Sequence, residues 1–478
     1  MSAPVASPPV QRRLVEAGGI EAIPLSRMHG SPWQLLATWT APNLEFATIF
    51  VGVIAVAFFD LTFWQAMAAV ILGNAVGAAT QGILSTWGPR EGLAQMVLGR
   101  TAFGYWGNIL PAALNTVMAG LGWFAVNSVS GAFALATLTG MPVVLALLIV
   151  VVLEVGVAFI GHDVVQLFER YATVILGIVF LIATVLLLGQ GDLGGANPAG
   201  GFTFAGFTLA AGAAFGYAAG WNPYAADYTR YLPAASSPTK IGLAAGLGNF
   251  LSCTVLMAAG AAAATLAGFD VDSPTDSFTS PLPGIVSALT LLAITLGAVA
   301  ANALNIYSGA MSFLAAGVRI PFALRRAIVA LGFGVIGFLI AWAALPDAAH
   351  SYENFLLVIA YWIAPWLGVV LTDRLLRRGT RIADLVREDR KYANPAGLIA
   401  FVVATVVSVW LFSNQTVYVG ILVQANPDLG DLTAIVGFVV AAVLYAVLFA
   451  ALKPAKGGPL ARGETDVPDD VDAAEAVR

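Results

Sequence analysis

Long apolar runs, separated by short polar segments, recur along almost the whole of this 478-residue chain. Because a helix needs roughly 20 mostly apolar residues to cross a bilayer, we predict twelve membrane-spanning helices. They cover residues 33–58, 62–86, 106–136, 141–161, 164–189, 203–226, 241–268, 283–317, 326–345, 354–376, 395–413 and 432–453. The runs lack the alternation of a membrane β-barrel, so the expected fold class is an all-α integral membrane protein.

The composition of the chain agrees with a membrane protein and excludes several other classes. Only 10% of the residues are charged, against about 25% in a typical soluble domain, and the mean hydropathy is +0.85. Soluble, disordered and nucleic-acid-binding proteins are excluded on this ground. One cysteine, Cys253, and three histidines leave no disulfide framework or His/Cys metal cluster to propose. An integral-membrane enzyme, which needs a nucleophile with a base or a metal, is therefore disfavoured.

The positions of the basic residues predict which side of the membrane each loop occupies, because lysine and arginine collect on the cytoplasmic side. With both termini in the cytoplasm, all 22 basic residues fall in cytoplasmic segments or at the adjoining helix ends. Adding or removing one span would invert every later loop and mix the two sets. We therefore expect a multi-pass protein of the cell (plasma) membrane, with twelve spans and both termini cytoplasmic.

This topology divides the chain into five segments. Residues 1–32 form a cytosolic tail, 33–376 hold spans one to ten as a transport core, and 377–394 form a basic cytosolic loop. Residues 395–453 hold spans eleven and twelve, and 454–478 form an acidic, disordered cytosolic tail. The basic loop is interpreted as a topology anchor, with binding of anionic lipid headgroups as the alternative.

Two of the apolar runs are interrupted by proline, and the interruptions lie five spans apart. Pro42 and Asn43 break the first run, and Gly-Trp-Asn-Pro at 220–223 breaks the sixth. An interior proline removes a backbone hydrogen bond, and paired broken helices mark the binding site of many transporters built from inverted repeats. We predict a five-plus-five inverted repeat over spans one to ten, with an ion or polar solute bound at the breaks. An ordinary proline kink is the alternative for each break.

Polar residues in two other runs share helix faces. Trp123 and Asn127 lie four apart in the third run, and Asn302 and Asn305 lie three apart in the eighth, with Thr295 seven before Asn302. Tryptophan offers a stacking surface, and asparagine offers both a donor and an acceptor. These groups suit a planar, neutral heterocycle. Hydrogen bonds between helices are the alternative interpretation.

Three acidic residues lie in the runs rather than in the loops. Glu45 follows the first break, Glu154 lies well inside the fourth run, and Glu169 lies early in the fifth beside Arg170. A carboxyl group buried in a membrane protein can carry a proton during transport. An interfacial ion pair between Glu169 and Arg170 is an equal alternative, and a structural hydrogen bond is the safer interpretation of Glu154.

Four motifs resemble one known family. They are Trp-x-x-x-Asn at Trp123 and Asn127, HDVVQLFERY at His162–Tyr171, GWNPYAADYTRYLP at Gly220–Pro233 and ANALNIYS at Ala301–Ser308. Together they are similar to the purine-cytosine permeases of the nucleobase:cation symporter family, over roughly residues 30 to 450. The resemblance implies a leucine-transporter fold, in which a four-helix bundle rocks against a scaffold and holds the substrate between spans one, three, six and eight.

The resemblance also implies roles for the polar residues of the third and eighth runs. Trp123 would stack on the base, and Asn127 would hydrogen-bond to it. Asn302 matches an asparagine that binds substrate in relatives that carry cytosine and purines, and Asn305 matches a nearby one. These four positions are therefore the core of the expected substrate site.

Two further positions follow from the same resemblance. Glu169 matches a glutamate of the fifth span that matters in fungal members. Trp221 stands near the place of a second stacking aromatic residue, for which Tyr217 and Tyr224 are alternatives.

This sequence departs from the family pattern in the eighth run. Fungal relatives tend to have Asn-Asn-x-Pro-Asn, whereas residues 301–305 read Ala-Asn-Ala-Leu-Asn, so the identity of the base stays open. Sodium-coupled relatives place hydroxyl groups before the asparagine, where this chain has Leu296 and Gly297, with only Thr295 close. Proton coupling is therefore favoured over sodium coupling.

The predicted function is import of a nucleobase, cytosine or a purine, by cation symport with alternating access. The coupling cation, H⁺ or Na⁺, is expected near Pro42, Asn43, Glu45 and Thr295, and no other cofactor is expected. The expected partners are the small-molecule substrate and the lipid bilayer, without nucleic acid; the sequence leaves protein partners open. A permease for allantoin, hydantoin, uracil or thiamine is the main alternative. A channel is a weaker one, because it would lack the paired broken helices.

Overall fold

The computed structural model covers most of the chain. It describes residues 19–160, 162–195, 201–318, 325–386 and 391–459, with side chains for all of these except 158–160, 162–173, 325–327 and 383–384. This part consists of helices and loops, and its β-contacts are three isolated bridges. The all-α prediction is therefore confirmed for the described residues. Most of both predicted tails and the side chains of Glu169 and Arg170 lie outside them.

The helices follow the predicted apolar runs, with shorter ones in the loops. The first eleven are α1 (Gln34–Thr40), α2 (Phe46–Ala57), α3 (Phe63–Ser85), α4 (Trp87–Glu91), α5 (Gln95–Leu98), α6 (Arg100–Gly107), α7 (Ile109–Val117), α8 (Phe124–Thr139), α9 (Val143–Ile160), α10 (His162–Gln190) and α11 (Phe204–Ala219). The others are α12 (Ala225–Thr229), α13 (Pro238–Ala264), α14 (Pro274–Thr279), α15 (Gly284–Ala315), α16 (Arg325–Ala344), α17 (Ala348–Leu376), α18 (Ala383–Val386), α19 (Pro395–Phe412), α20 (Ile421–Ala425) and α21 (Thr433–Leu452). Within the described residues, seven helical segments are long and apolar enough to cross a membrane, and the bent pair α1 and α2 makes an eighth. The count of twelve spans stays a prediction.

Both proline-containing runs are broken helices. α1 ends at Thr40, a 3-10 turn covers Ala41–Asn43, and Glu45 is extended (φ −152°, ψ 170°) before α2 begins. The two pieces of the first run are bent by 61°. In the sixth run, α11 ends at Ala219 and a 3-10 turn at Asn222–Tyr224 precedes α12. The breaks interrupt the helical hydrogen bonds inside the bundle, where the candidate site is built.

The third run contains a feature that the sequence analysis did not predict. A π-helical turn at Met118–Trp123 joins α7 to α8. Such turns are frequent at functional sites. The wider turn shifts the rotation of α8 relative to α7. Trp123 is the last residue of the turn, and Asn127 lies beyond it in the regular helix α8.

Glycine lets the broken first helix pack directly on two other helices. A Cβ atom added at Gly52 of α2 would lie 1.8 Å from a backbone oxygen of α13, and one added at Gly260 of α13 would lie 1.8 Å from a backbone oxygen of α2. At Gly297 of α15, the added atom would lie 2.2 Å from Leu44 O. Small residues at helix crossings allow this close approach in membrane proteins. They hold the first break between α13 and α15.

A buried ion pair lies where α17 ends. Arg377 and Asp373 are each 1% exposed, and Arg377 Nε donates to Asp373 Oδ1 at 2.7 Å. Tyr445 Oη of α21 donates to the same oxygen at 2.5 Å. One turn before Arg377, Arg374 pairs with Glu91 of α4. The first arginine of the predicted basic loop is thus buried in contacts that join helices.

Candidate substrate and coupling site

The side chain of Asn43 connects the two helix breaks. Its Nδ2 donates to Trp39 O at 2.8 Å and to Ser252 Oγ at 3.0 Å, and its Oδ1 accepts from Trp221 Nε1 at 2.8 Å. These partners come from α1, α13 and the break in the sixth run. Asn43 is fully buried, and the neighbouring Pro42 is also buried. In this conformation the Asn43 amide is therefore committed to protein partners.

Trp221 faces the first break rather than Trp123. The centroid of its ring lies 6.0 Å from that of Trp39 and 5.6 Å from that of Tyr224. The ring of Tyr217 contacts Trp123 instead, with centroids 5.2 Å apart and planes at 85°. Of the three aromatic candidates named from the sixth run, the structure brings Tyr217 to Trp123.

Trp123 belongs to an aromatic cluster beside a cavity. It is 7% exposed and makes edge contacts with Phe355 at 5.2 Å and Tyr352 at 6.3 Å, both from α17. The cavity has a volume of about 280 Å³ and mainly apolar walls. Its lining includes Phe46, Phe50, Gly122, Val126, Tyr352 and Phe355. This volume approaches the roughly 300–1,000 Å³ of small-molecule pockets.

The predicted amides of the third and eighth runs meet in one cluster. Asn127 Nδ2 and Asn305 Nδ2 each lie 3.1 Å from Asn302 Oδ1. Tyr224 Oη, from the sixth-run break, donates to Asn305 Oδ1 at 3.4 Å. The three asparagines are at most 1% exposed. The structure thus assembles the residues that the sequence assigned to substrate hydrogen bonds.

Glu45 lies beside this amide cluster. It is 1% exposed, and Tyr217 Oη donates to its Oε1 at 2.9 Å. The amide of Asn127 fits in two orientations: with Nδ2 toward Asn302, its oxygen faces Glu45, and turned over, its Nδ2 lies 3.1 and 3.2 Å from the two Glu45 oxygens. An ionised carboxylate only accepts hydrogen bonds, whereas a protonated carboxyl also donates one. The turned orientation therefore suits ionised Glu45, and the other suits protonated Glu45.

Glu154 is a second carboxyl group buried next to the cluster. Its Oε2 lies 2.6 Å from Ser128 Oγ, and Asn302 Nδ2 lies 3.3 Å from the same hydroxyl. Ser128 was not singled out in the sequence. A serine in the middle of a helix commonly bonds to its own backbone, and Ser128 also lies 2.7 Å from Phe124 O, so its position gave no signal of this contact.

Two of the predicted coupling or substrate residues are not part of these contacts. Thr295 Oγ1 donates to Leu291 O at 3.0 Å and lies 3.5 Å from Gly131 O of α8. Its hydroxyl therefore faces the third run rather than the break in the first. The side chain of Glu169 lies outside the described part of the chain, so its role stays a prediction.

Comparisons with known proteins identify relatives over most of the chain. Residues 22–437 match the profile of a family described as permease for cytosine/purines, uracil, thiamine, allantoin. The chain is 31% identical over 458 residues to the purine-cytosine permease fcyB of Emericella nidulans, which covers 91% of this chain and 88% of that one. It is 29% identical over 447 residues to the putative purine-cytosine permease YxlA of Bacillus subtilis, covering 91% and 96% of the two chains. The family predicted from the motifs is confirmed.

Solved structures share the fold of this chain. Mhp1, a nucleobase-cation-symport-1 family transporter in a closed conformation with bromovinylhydantoin bound, matches with a TM-score of 0.72 at 19% identity, over 93% of this chain and 97% of that one. Inward-facing Mhp1 matches with a TM-score of 0.70. Likeness at this identity establishes the fold alone, whereas the profile match and the identity to fcyB establish kinship. The chain belongs to the family of permeases for cytosine/purines, uracil, thiamine and allantoin.

Proposed function

We propose that this permease imports a neutral nucleobase, cytosine or a purine, together with a proton rather than sodium. The observation that carries the proposal is the buried cluster of three amides and one carboxyl group, beside Trp123 and both helix breaks. A stacking surface with amide donors and acceptors suits a planar, neutral heterocycle. An ionisable group beside those amides suits proton coupling.

In the proposed site, Trp123 stacks on the base, while Asn127, Asn302 and Asn305 hydrogen-bond to its edge. The amides bind one another in this conformation and are almost fully buried. A base must therefore replace amide–amide bonds, and helices must move to admit it from the adjoining cavity. This requirement supports alternating access. Trp221 contributes to the site indirectly, by donating a hydrogen bond to the side chain of Asn43.

Glu45 is the proposed proton carrier. Its protonation state selects the orientation of the Asn127 amide, and therefore the donor or acceptor that this amide presents to a base. The proton and substrate sites would then share one hydrogen-bond network. The direction of the Thr295 hydroxyl, toward α8, supports the preference for a proton. For Glu169, a role in the substrate site rests on the family resemblance.

We further propose that the protein lies in the plasma membrane with twelve spans and both termini in the cytoplasm. The chain is then divided into the five segments described from the sequence.

Helix packing supports the inverted repeat. α2 of the first run packs on α13 of the seventh, and α11 of the sixth packs on α3 of the second. The third and eighth runs meet through α8 and α15, and the fourth and ninth through α9 and α16. If each of the first four runs is exchanged with the run five positions later in the chain, the same four contacts result, as an inverted repeat requires.

A different heterocycle is the second candidate substrate. The family description includes uracil, thiamine and allantoin, and the Mhp1 structure contains a hydantoin. The vitamin B6 transporter TPN1 of Saccharomyces cerevisiae is 23% identical over 399 residues. The two relatives with higher identity, fcyB and YxlA, carry the name purine-cytosine permease, and this favours a nucleobase.

Uptake of labelled cytosine, adenine, hypoxanthine, uracil, allantoin and a hydantoin into transporter-deficient cells tests the substrate class. We expect concentrative uptake of cytosine or a purine, reduced by competition with the unlabelled base. No accumulation of any of these compounds would overturn the proposal.

A pH step with and without sodium then tests the coupling. We expect uptake to follow an inward proton gradient, and dependence on sodium at fixed pH would overturn the choice of a proton.

A further inference from the structure

Glu154 has no role in the mechanism proposed above, although it is fully buried. Its Oε1 has no hydrogen-bond partner in the described part of the chain, and its Oε2 contacts Ser128. Among the described side chains, no ion pair includes Glu154. The other acid buried beside the amide cluster, Glu45, would repel Glu154 if both were ionised. An ionised carboxylate in such surroundings carries a large desolvation cost.

The helices packed on α9 contribute few titratable groups near Glu154. α9 packs on α8, α10, α15 and α16. α8, residues 174–190 of α10 and residues 328–344 of α16 contain no titratable residue. α15 contains Tyr307, which bonds to Arg230 and Tyr231 instead. The titratable side chains of α10 before residue 174 lie outside the described ones.

The hydrogen bonds around Ser128 fit a protonated Glu154. A protonated carboxyl can donate to Ser128 Oγ at 2.6 Å, which leaves the serine hydroxyl free to donate to Phe124 O at 2.7 Å. An ionised Glu154 would instead need the serine hydrogen and take it away from Phe124. Asn302 Nδ2 touches both Phe124 O, at 2.9 Å, and Ser128 Oγ, at 3.3 Å. A change in Glu154 therefore alters the partners of an amide in the substrate site.

We propose that Glu154 is a second proton-binding group of this transporter, linked to substrate binding through Ser128 and Asn302. The proposal rests on the proton coupling proposed above and adds a second acid to it. Linkage is reciprocal: if protonation of Glu154 changes substrate affinity, bound substrate changes proton affinity by the same factor. Binding of the base at Asn302 then takes up or releases a proton at Glu154.

Purified protein in proteoliposomes tests this assignment. The measurements are protons taken up per labelled cytosine, or per molecule of whichever base the uptake panel selects, and the pH dependence of equilibrium binding of that base. We expect Glu154→Gln to bind the base, to lose part of the proton uptake and to show a flatter pH profile. Glu154→Asp keeps an ionisable group and should retain most of the proton uptake, which a merely structural role would not predict.

Ser128→Ala, with Ser408→Ala as its matched control, tests the link. Ser408 is also fully buried and bonds to a backbone oxygen of its own helix, Thr405 O, at 3.2 Å. We expect Ser128→Ala to shift in the same direction as Glu154→Gln, and Ser408→Ala to behave as wild type. If Ser128→Ala matches Ser408→Ala, the link is wrong, and this comparison decides even if Glu154→Gln does not fold.

The outcomes separate this proposal from the proposed function. Unchanged proton uptake and an unchanged pH profile in a folded Glu154→Gln would overturn the assignment of Glu154 while leaving proton coupling intact in the wild type. If the wild type itself takes up no proton with the base, proton coupling is wrong, and the role of Glu154 is wrong with it.

Discussion

Buried carboxyl groups near the helix breaks differ in their surroundings from the buried carboxyl group at the end of α17. Near the helix breaks, Glu45 and Glu154 contact hydroxyl and amide groups, and no ion pair to either is found among the described side chains. At the end of α17, Asp373 pairs with Arg377 and also accepts from Tyr445. All three acids are at most 1% exposed. The acids are therefore equally buried in both regions. They differ in whether a described basic side chain lies beside the carboxyl group to balance its charge.

This difference distinguishes an acid that joins helices from the acids that we propose for proton coupling. Burying an ion costs several kcal/mol, which a well-placed counter-ion and further hydrogen bonds can offset. Asp373 has both, in Arg377 and Tyr445, and these contacts suit a structural role. Glu45 and Glu154 have hydrogen bonds without a described counter-ion, so a small change in their surroundings changes whether they hold a proton.

The largest effect that the comparison predicts is on stability. Asp373→Ala leaves Arg377 buried without its carboxylate, and we expect a loss of about 3–5 kcal/mol in the free energy of unfolding. Glu45→Gln removes an ionisable group and keeps a hydrogen-bonding side chain, so we expect a loss below about 1 kcal/mol. Thermal unfolding of both variants in detergent measures the contrast. Equal destabilisation would show that Glu45 is as structural as Asp373.

The next effect is on substrate affinity. Asn302→Ala removes the amide that contacts Asn127, Asn305 and the serine beside Glu154. A polar group left unpaired on a bound base costs about 1–3 kcal/mol, so we expect the apparent affinity to fall about 5- to 150-fold and uptake at low substrate concentration to be lost. The amount of protein in the membrane, measured by immunoblot, should stay the same. Unchanged apparent affinity would remove Asn302 from the site.

Much of this molecule could be predicted from local patterns in the sequence. Apolar runs, interior prolines and residues three or four apart on a helix are local signals, and they predicted the helical fold, the breaks at Pro42 and Pro223 and the faces carrying Asn127 and Asn302. The meeting of α8 with α15 then followed from the family resemblance. None of these inferences required knowledge of how one helix is rotated against another.

The features that were missed depend on such rotations. The π-helical turn that ends at Trp123 has no local sequence signal, and the sequence left open which aromatic residue of the sixth run contacts Trp123; in the structure it is Tyr217. The contact of Glu154 with Ser128 joins two helices whose facing sides are otherwise apolar. The sequence analysis assigned Arg377 to the basic cytosolic loop. Its ion-pair partner Asp373 lies one turn earlier, inside the predicted tenth span, so the pair was not recognised.

The smallest predicted effect concerns the connection between the two breaks. Trp221→Phe keeps an aromatic ring and removes the N–H that donates to Asn43 Oδ1, so a buried oxygen loses its partner at a cost of about 1 kcal/mol in stability. Because the ring of Trp221 packs on Trp39 and Tyr224, we expect the maximal uptake rate to change and the equilibrium affinity for the base to stay near wild type.

Trp410→Phe is the matched control for this last variant, since Trp410 is 53% exposed on α19 and should leave both measurements unchanged. The contrary outcome for Trp221→Phe is a fall in affinity as large as that of Asn302→Ala. Trp221 would then touch the base directly, as the family resemblance implied, and would have to leave Asn43 when substrate binds. The hydrogen bond between the breaks would in that case belong to the substrate-free conformation alone, and its rupture would be part of the transport cycle.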